Sequence, residues 1–233
     1  MSNLGNSGFS QREFDDFVLR HGVIGFFQEP IKLKSGRMSN WYVNWRTVSE
    51  DAYLLDRLTD FAIRFIHSRS IVPASIYGVP EGATKTAVIA QHKLAKDFLD
   101  YAPGRYVVPM GRGKPKEHGA PKDRFFLGMP RGKTLVLEDV TTTGGSLLGT
   151  IDVLAEAGVP VIGAMGLTDR NEVGEDGLSV GMRTSAKGVP YHAMSNALDL
   201  LPKAYKMIKP GVEIARAIEG EFERYGTKQI TFS

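Results

Sequence analysis

The segment 133–157 constrains the fold of this chain more than any other. Lys133–Asp139 carries an unbroken apolar run, which predicts a buried strand that ends in the carboxylates of Glu138 and Asp139. A threonine- and glycine-rich turn follows, and the apolar spacing of Ser146–Ala157 predicts a helix. A buried strand that leads through a short turn into a helix is typical of a sheet covered by helices.

Further strands and helices alternate along the chain in the same way. The predicted strands, besides the one above, are Ala74–Val79, Arg105–Pro109 and Val159–Leu167. The predicted helices are Ser10–Leu19, Asp51–His67, Ala83–Asp97, Ala197–Ile208 and Val212–Tyr225. Such alternation implies right-handed βαβ units. We therefore predict the α/β class, with a central, mostly parallel sheet flanked by helices.

The composition narrows the range of partners. A net charge of +3 is too mild to predict nucleic-acid binding, and the absence of cysteine excludes disulfides and thiolate metal sites. No apolar run approaches the roughly 20 residues that span a bilayer, and no secretory signal is visible at the start of the sequence. We expect one domain in a cytoplasmic protein that binds neither nucleic acid nor membrane.

The turn after the predicted strand has the chemistry of an anion site. Gly144 and Gly145 permit positive φ and a close backbone approach, so successive N–H groups can point at one anion. The helix that begins near Ser146 adds its N-terminal dipole. Hydroxyl donors are available from Thr141, Thr142 and Thr143. The simpler alternative is a strand-to-helix turn with exposed acids.

The acid pair suits a sugar. Glu138 and Asp139 lie where ligands bind in open α/β sheets, at the carboxyl end of a strand, and carboxylates accept hydrogen bonds from vicinal ribose hydroxyls. No Gly-Lys-Ser/Thr follows the glycines, so this is not a Walker loop. The whole arrangement predicts a site for a sugar phosphate.

This segment resembles the phosphoribosyl-pyrophosphate motif of the type I phosphoribosyltransferases. The resemblance implies that Glu138 and Asp139 contact the ribose, and that residues 141–146 bind the 5′-phosphate. It also implies Mg²⁺ carried by the substrate, with no metal ligand of the protein assigned. The implied fold adds a small hood, built from residues 1–50 and part of 169–233, to a core of residues 51–168.

Two further segments are similar to orotate phosphoribosyltransferases. Lys32–Asn44 matches the N-terminal signature of that family, which implies that Lys34 contacts phosphoribosyl pyrophosphate and that Tyr42 and Val43 lie beside the pyrimidine. Read alone, this segment is a basic turn before a strand. Leu167–Glu172 resembles the segment whose arginine binds the orotate carboxylate, here Arg170. The alternative for Arg170 is a surface ion pair with Asp169 or Glu172.

The polar segment 111–124 predicts a mobile loop, because it holds almost nothing apolar to bury. It is similar to the family's catalytic loop at Arg112, Lys116, His118 and Gly119. The resemblance implies that this loop acts in the neighbouring subunit of a homodimer. Where the family has a second lysine this chain has Gly113, and Lys114 follows one position later. A solvated basic loop is the alternative.

A second departure from the family lies in Gly78–Thr86, where Glu81 brings a negative charge toward a polyanionic substrate. The activity implied is transfer of phosphoribose to orotate, giving orotidine 5′-monophosphate and pyrophosphate in pyrimidine biosynthesis. Two alternatives remain open at the level of sequence. One is a phosphoribosyltransferase for a purine or uracil; the other is a non-catalytic sensor of phosphoribosyl pyrophosphate.

Overall fold

A computed structural model describes residues 8–118 and 124–232. The elements in chain order are α1 (Gln11–Arg20), β1 (Ile24–Lys32), β2 (Met38–Val43), α2 (Arg46–Ser49), α3 (Ala52–Ser68), β3 (Ser75–Gly78), α4 (Thr84–Asp97), β4 (Met110–Gly111), β5 (Phe126–Gly128), β6 (Thr134–Thr141), α5 (Gly145–Glu156), β7 (Val161–Asp169), α6 (Val180–Ser185), β8 (Tyr191–Asn196), α7 (Ala197–Ile208) and α8 (Val212–Tyr225).

A four-stranded parallel sheet in the order β3-β6-β7-β8 forms the centre of the fold. The apolar run predicted as a strand lies in β6, where Leu135, Val136 and Leu137 are fully buried. Burial on both sides requires helices on both faces, which explains the continuous apolar pattern. The predicted α/β class is confirmed.

The predicted helices are confirmed, and two of them begin at the capping residue that the sequence offers. Ser10 accepts a hydrogen bond from the N–H of Glu13 at the start of α1, and Asp51 accepts one from the N–H of Leu54 at the start of α3. The bounds of α7 and α8 agree with the predicted ones.

One predicted strand, Arg105–Pro109, is wrong. The buried side chain of Gln91 covers the free edge of β3 instead: its Oε1 accepts from the N–H of Ile76 at 2.7 Å, and its Nε2 donates to the carbonyls of Ala74 and Val107. The segment 105–109 is therefore joined to the edge of β3 by the Gln91 side chain and not by backbone hydrogen bonds of its own strand. The nearby strand is β4, two residues that pair antiparallel with β5. Strands β1, β5 and β8 and helices α2 and α6 were not predicted from the sequence.

The N-terminal hairpin packs against the last helix. β1 and β2 pair antiparallel, and Trp41 of β2 stacks on Phe222 of α8 with ring centroids 6.2 Å apart. This packing supports the proposed hood, whose limits at residues 50 and 169 remain a prediction. Within the part of the chain that the structure describes, no helix is long and apolar enough to cross a membrane.

Candidate active site

A cavity of about 610 Å³ lies at the carboxyl ends of β3 and β6. The predicted site residues that line it are Lys34, Tyr42, Val43, Glu138, Asp139, Thr142, Thr143, Gly144, Gly145, Ser146 and Arg170. The predicted residues outside its lining are Arg112, Lys114, Lys116, His118 and Thr141. Segments predicted separately thus meet around one space.

The phosphate loop, residues 141–146, owes its shape to a glycine. Gly144 has φ +78° and caps α5, and a Cβ there would lie 3.2 Å from the side chain of Val180 in α6. Only glycine meets both demands without strain. Lys34, on the turn between β1 and β2, donates from Nζ to the Ser146 hydroxyl at 2.8 Å. The hairpin turn therefore reaches the start of α5.

The hydroxyl of Thr141 faces the interior. It is hydrogen-bonded to the hydroxyl of Tyr191 in β8, and only 1% of the residue is exposed. The structure therefore does not bring Thr141 to the cavity with Thr142 and Thr143, because its position still belongs to β6 and follows the alternation of that strand.

The carboxylates of Glu138 and Asp139 have little exposure to solvent. Burial raises the pKa of Glu138 to about 8, with a further rise from Asp139 and an opposing effect of Lys34. Its Oε2 is buried and has no hydrogen-bond partner among the described residues. Burial also raises the pKa of Asp139. Gly82 allows the loop after β3 to approach, since a Cβ there would collide with the Asp139 carboxylate.

At the other end of the cavity, Arg170 lies in a buried ionic cluster. Its Nε donates to Glu172 at 2.7 Å and its Nη2 donates to Glu221 of α8 at 2.7 Å. The guanidinium lies 3.7 Å from the centroid of the Trp41 ring. The alternative of an ion pair with Glu172 is therefore present, but it is buried and not on the surface.

The two departures from the family pattern lie against each other. A Cβ on Gly113 would collide with the carboxylate of Glu81, so any side chain at 113 would have to displace it. Around this point, the N–H of Arg112 donates to the carbonyl of Phe125 and the N–H of Lys116 to that of Arg124. Lys114, Lys116 and His118 are exposed. Gly119 lies outside the described residues.

Two residues beside the site, Arg183 and Glu221, were not predicted from the sequence. Arg183 of α6 donates from Nη1 to the carbonyl of Thr143, beneath the phosphate loop. Glu221 had a readable signal, because it lies on the face of α8 that buries Ile218 and Phe222. A charged residue on an apolar helix face indicates a buried partner. Arg183 carried no comparable signal.

Comparison with known proteins finds similarity to orotate phosphoribosyltransferases in sequence and in fold. The chain is 30% identical over 187 residues to orotate phosphoribosyltransferase of Bradyrhizobium diazoefficiens, covering 76% of this chain and 89% of that one. The solved orotate phosphoribosyltransferase of Francisella tularensis has a TM-score of 0.63 at 20% identity, covering 92% and 99%. That of Mycobacterium tuberculosis H37Rv in complex with 5-phospho-α-D-ribosyl 1-diphosphate has a TM-score of 0.52 at 22% identity, covering 82% and 98%. No protein-family model matches.

A parallel sheet with an acid pair and a threonine–glycine loop at its carboxyl edge defines the type I phosphoribosyltransferase class, and the solved structures share this fold. Within that class, the chain belongs to the orotate phosphoribosyltransferase family.

Proposed function

We propose that this cavity transfers phosphoribose from phosphoribosyl pyrophosphate to orotate, forming orotidine 5′-monophosphate and pyrophosphate in pyrimidine biosynthesis. One observation carries the proposal. The acid pair, residues 142–146 of the phosphate loop and Arg170 all line one cavity in a member of this family. In the reaction the anomeric C–O bond to pyrophosphate breaks and a bond to a ring nitrogen of orotate forms.

At the phosphate end, the proposed ligands of the 5′-phosphate are the groups of residues 142–146 that line the cavity. Lys34 adds a positive charge there and is already hydrogen-bonded to Ser146. The N-terminus of α5 favours an anion at this place because its first N–H groups lack partners within the helix. Thr141 retains only an indirect role, since its hydroxyl is bonded to Tyr191.

In the middle of the cavity, Glu138 and Asp139 accept hydrogen bonds from the ribose hydroxyls. The unpartnered Oε2 of Glu138 supports this role, because a buried acceptor without a donor is costly until a ligand supplies one. At the base end, Tyr42 and Val43 flank the pyrimidine and Arg170 meets its carboxylate.

The family implies Mg²⁺ with phosphoribosyl pyrophosphate, and the residues present are compatible with it. Within the described ranges no three Asp, Glu or His side chains come together as a metal cage. Mg²⁺ keeps waters and substrate oxygens as ligands. We therefore place the ion on the substrate, beside Glu138 and Asp139, where it would neutralise charge on pyrophosphate.

The basic loop supplies the remaining charge in our proposal. Arg112, Lys114, Lys116 and His118 lie outside the cavity lining of one subunit, so we propose a homodimer in which loop 111–124 acts in the neighbouring site. There the loop would stabilise negative charge that develops on the departing pyrophosphate. Orotate, phosphoribosyl pyrophosphate and the second subunit are then the partners, in the cytoplasm.

The direct test is a spectrophotometric assay with orotate, phosphoribosyl pyrophosphate and Mg²⁺. Lys116→Ala should lower kcat about 10²–10³-fold and change both KM values little, because the loop acts mainly in the transition state. Lys96→Ala, on the exposed side of α4, is the matched control and should keep full activity.

Absence of turnover at high enzyme concentration would refute the proposal as a whole. Turnover with uracil or hypoxanthine and none with orotate would move the activity to another base. A large rise in either KM for Lys116→Ala, with kcat unchanged, would refute the role given to the loop.

A further inference from the structure

The cluster around Arg170 is balanced in charge. Arg170 is paired with Glu172 and Glu221, and Arg37 donates from Nη1 to Glu172 at 2.8 Å. Two cations and two carboxylates therefore meet beneath the base end of the cavity, where the solvent does not screen them. An anionic ligand that approaches Arg170 meets no net positive charge as long as both glutamates are ionised.

The donors of Arg170 are largely in use. Nε is occupied by Glu172, Nη2 by Glu221 and by the hydroxyl of Ser39 at 3.0 Å, and Nη1 donates weakly to the Trp41 carbonyl at 3.4 Å. A guanidinium has five N–H donors. Among the described residues, the contacts of Arg170 leave one N–H on Nη1 for a ligand in the cavity. The affinity for a ligand carboxylate therefore depends on the local charge more than on a bidentate hydrogen bond.

The two glutamates differ in the groups that they contact. Glu172 is shared by two arginines, Arg37 and Arg170. Glu221 meets one cation, Arg170, and two neutral donors of β2, the hydroxyl of Ser39 and the Nε1 of Trp41. Glu221 therefore has one cationic partner, and burial raises its pKa above the ordinary carboxyl value.

The hydrogen bonds around Glu221 fit either protonation state. Ser39 Oγ lies 2.9 Å from Glu221 Oε2 and 2.8 Å from the Trp41 carbonyl. When Glu221 is ionised, the serine hydroxyl donates to it. When Oε2 carries a proton, it donates to the serine oxygen, and the serine donates to the Trp41 carbonyl instead. The serine oxygen then accepts from Oε2–H and from Arg170 Nη2, and the Trp41 N–H, already at 3.3 Å, is the weakest of its donors.

We propose that Glu221 couples base binding to proton uptake: a base that carries a carboxylate binds beside Arg170 as Glu221 takes up one proton. The inference rests on the proposed function, because it needs the carboxylate at Arg170. Burial raises the pKa of Glu221, Arg170 opposes the rise and Glu172 adds to it. A second anion at Arg170 raises the pKa further, so affinity for that anion falls as pH increases through the titration of Glu221.

The test compares two nucleotides that share the ribose and the phosphate. Orotidine 5′-monophosphate carries the carboxylate and uridine 5′-monophosphate lacks it, so effects of Glu138 and of the phosphate cancel in their ratio. Calorimetric titrations in two buffers of different ionisation enthalpy should show extra proton uptake for the first nucleotide only. The ratio of the two affinities should fall about tenfold as the pH rises through the titration of Glu221, above the ordinary carboxyl value of 4.5, which corresponds to a coupling of one pKa unit.

Glu221→Gln keeps the acceptor for Arg170 and removes the charge. It should abolish the extra proton uptake, bind orotidine 5′-monophosphate more tightly at a pH above the titration of Glu221 and leave the binding of uridine 5′-monophosphate unchanged. Glu221→Asp should retain the uptake. If the Glu221→Gln variant does not fold, the difference in proton uptake between the two nucleotides in the wild type still tests the proposal.

Equal proton uptake for both nucleotides, or uptake that persists in Glu221→Gln, would overturn the proposal. So would weaker binding of both nucleotides by Glu221→Gln, because that result indicates a structural role alone. Failure of the proposed function is distinct: the wild type would then bind neither orotidine 5′-monophosphate nor orotate and would show no turnover.

Discussion

The two ends of the cavity are built differently. The phosphate end consists of consecutive residues, 142–146, held by a glycine with positive φ and by the start of α5. The base end joins residues that are far apart in sequence: Ser39 and Glu221 are separated by 182 positions. One end relies on backbone conformation and the other on buried charge. Substitutions at the phosphate end should therefore change ligand binding. Substitutions at the base end should also change the free energy of unfolding.

Arg170→Ala tests this contrast with the largest expected effect. It leaves Glu221 buried without its cation, which should lower the free energy of unfolding by about 3–5 kcal/mol. Ser146→Ala, at the phosphate end, should cost about 1 kcal/mol or less, because it removes one hydrogen bond near solvent. Urea unfolding of both variants measures the difference. Similar losses for the two variants would remove the contrast.

A smaller effect is expected from the acid pair, which lies between the two ends. The folded-state pKa of Glu138, about 8, is above the ordinary 4.5, so the folded state holds the proton more tightly. The stability from this proton is complete below pH 4.5 and is lost as pH rises through 8. Without ligand, wild type should therefore lose up to a few kcal/mol relative to Glu138→Gln over this range.

Thermal melting of both proteins from pH 5 to pH 8.5 follows that loss. Glu156→Gln, on the exposed side of α5, is the matched control and should run parallel to wild type. A constant difference between wild type and Glu138→Gln across the range would contradict the prediction.

The smallest effect concerns the support beneath the phosphate loop. Arg183→Ala removes the donor to the Thr143 carbonyl, and it should raise KM for phosphoribosyl pyrophosphate about fivefold, which corresponds to roughly 1 kcal/mol. KM for orotate should stay unchanged, since the base end is untouched. Lys187→Ala, an exposed ion pair on the same side of the molecule, is the control. Equal changes in both KM values would show that α6 supports the whole cavity.

The same contrast explains what could be predicted from the sequence. The phosphate end was predictable because strand, acids, glycines and helix are contiguous, and local rules apply to each of them. Arg170 was predictable as a residue of the cavity, and Glu221 as a buried charge, but the contacts of Arg170 with Ser39 and Glu221 were not predictable, because no local pattern links positions 131 and 51 apart. The strand predicted at 105–109 was wrong for a related reason: Gln91, a residue of α4, covers the edge of β3.

The position of Glu221 on α8 also orders the assembly of the site during synthesis. A chain that emerges from the ribosome releases β6, its loop and α5 long before the last helix. Since domains acquire structure as their segments become available, the phosphate end can form while Arg170 still lacks the carboxylate of α8. A nascent or truncated chain that ends before residue 221 would thus hold Arg170 with Glu172 as its carboxylate partner and without Glu221, so the last helix completes the charge balance of this cluster.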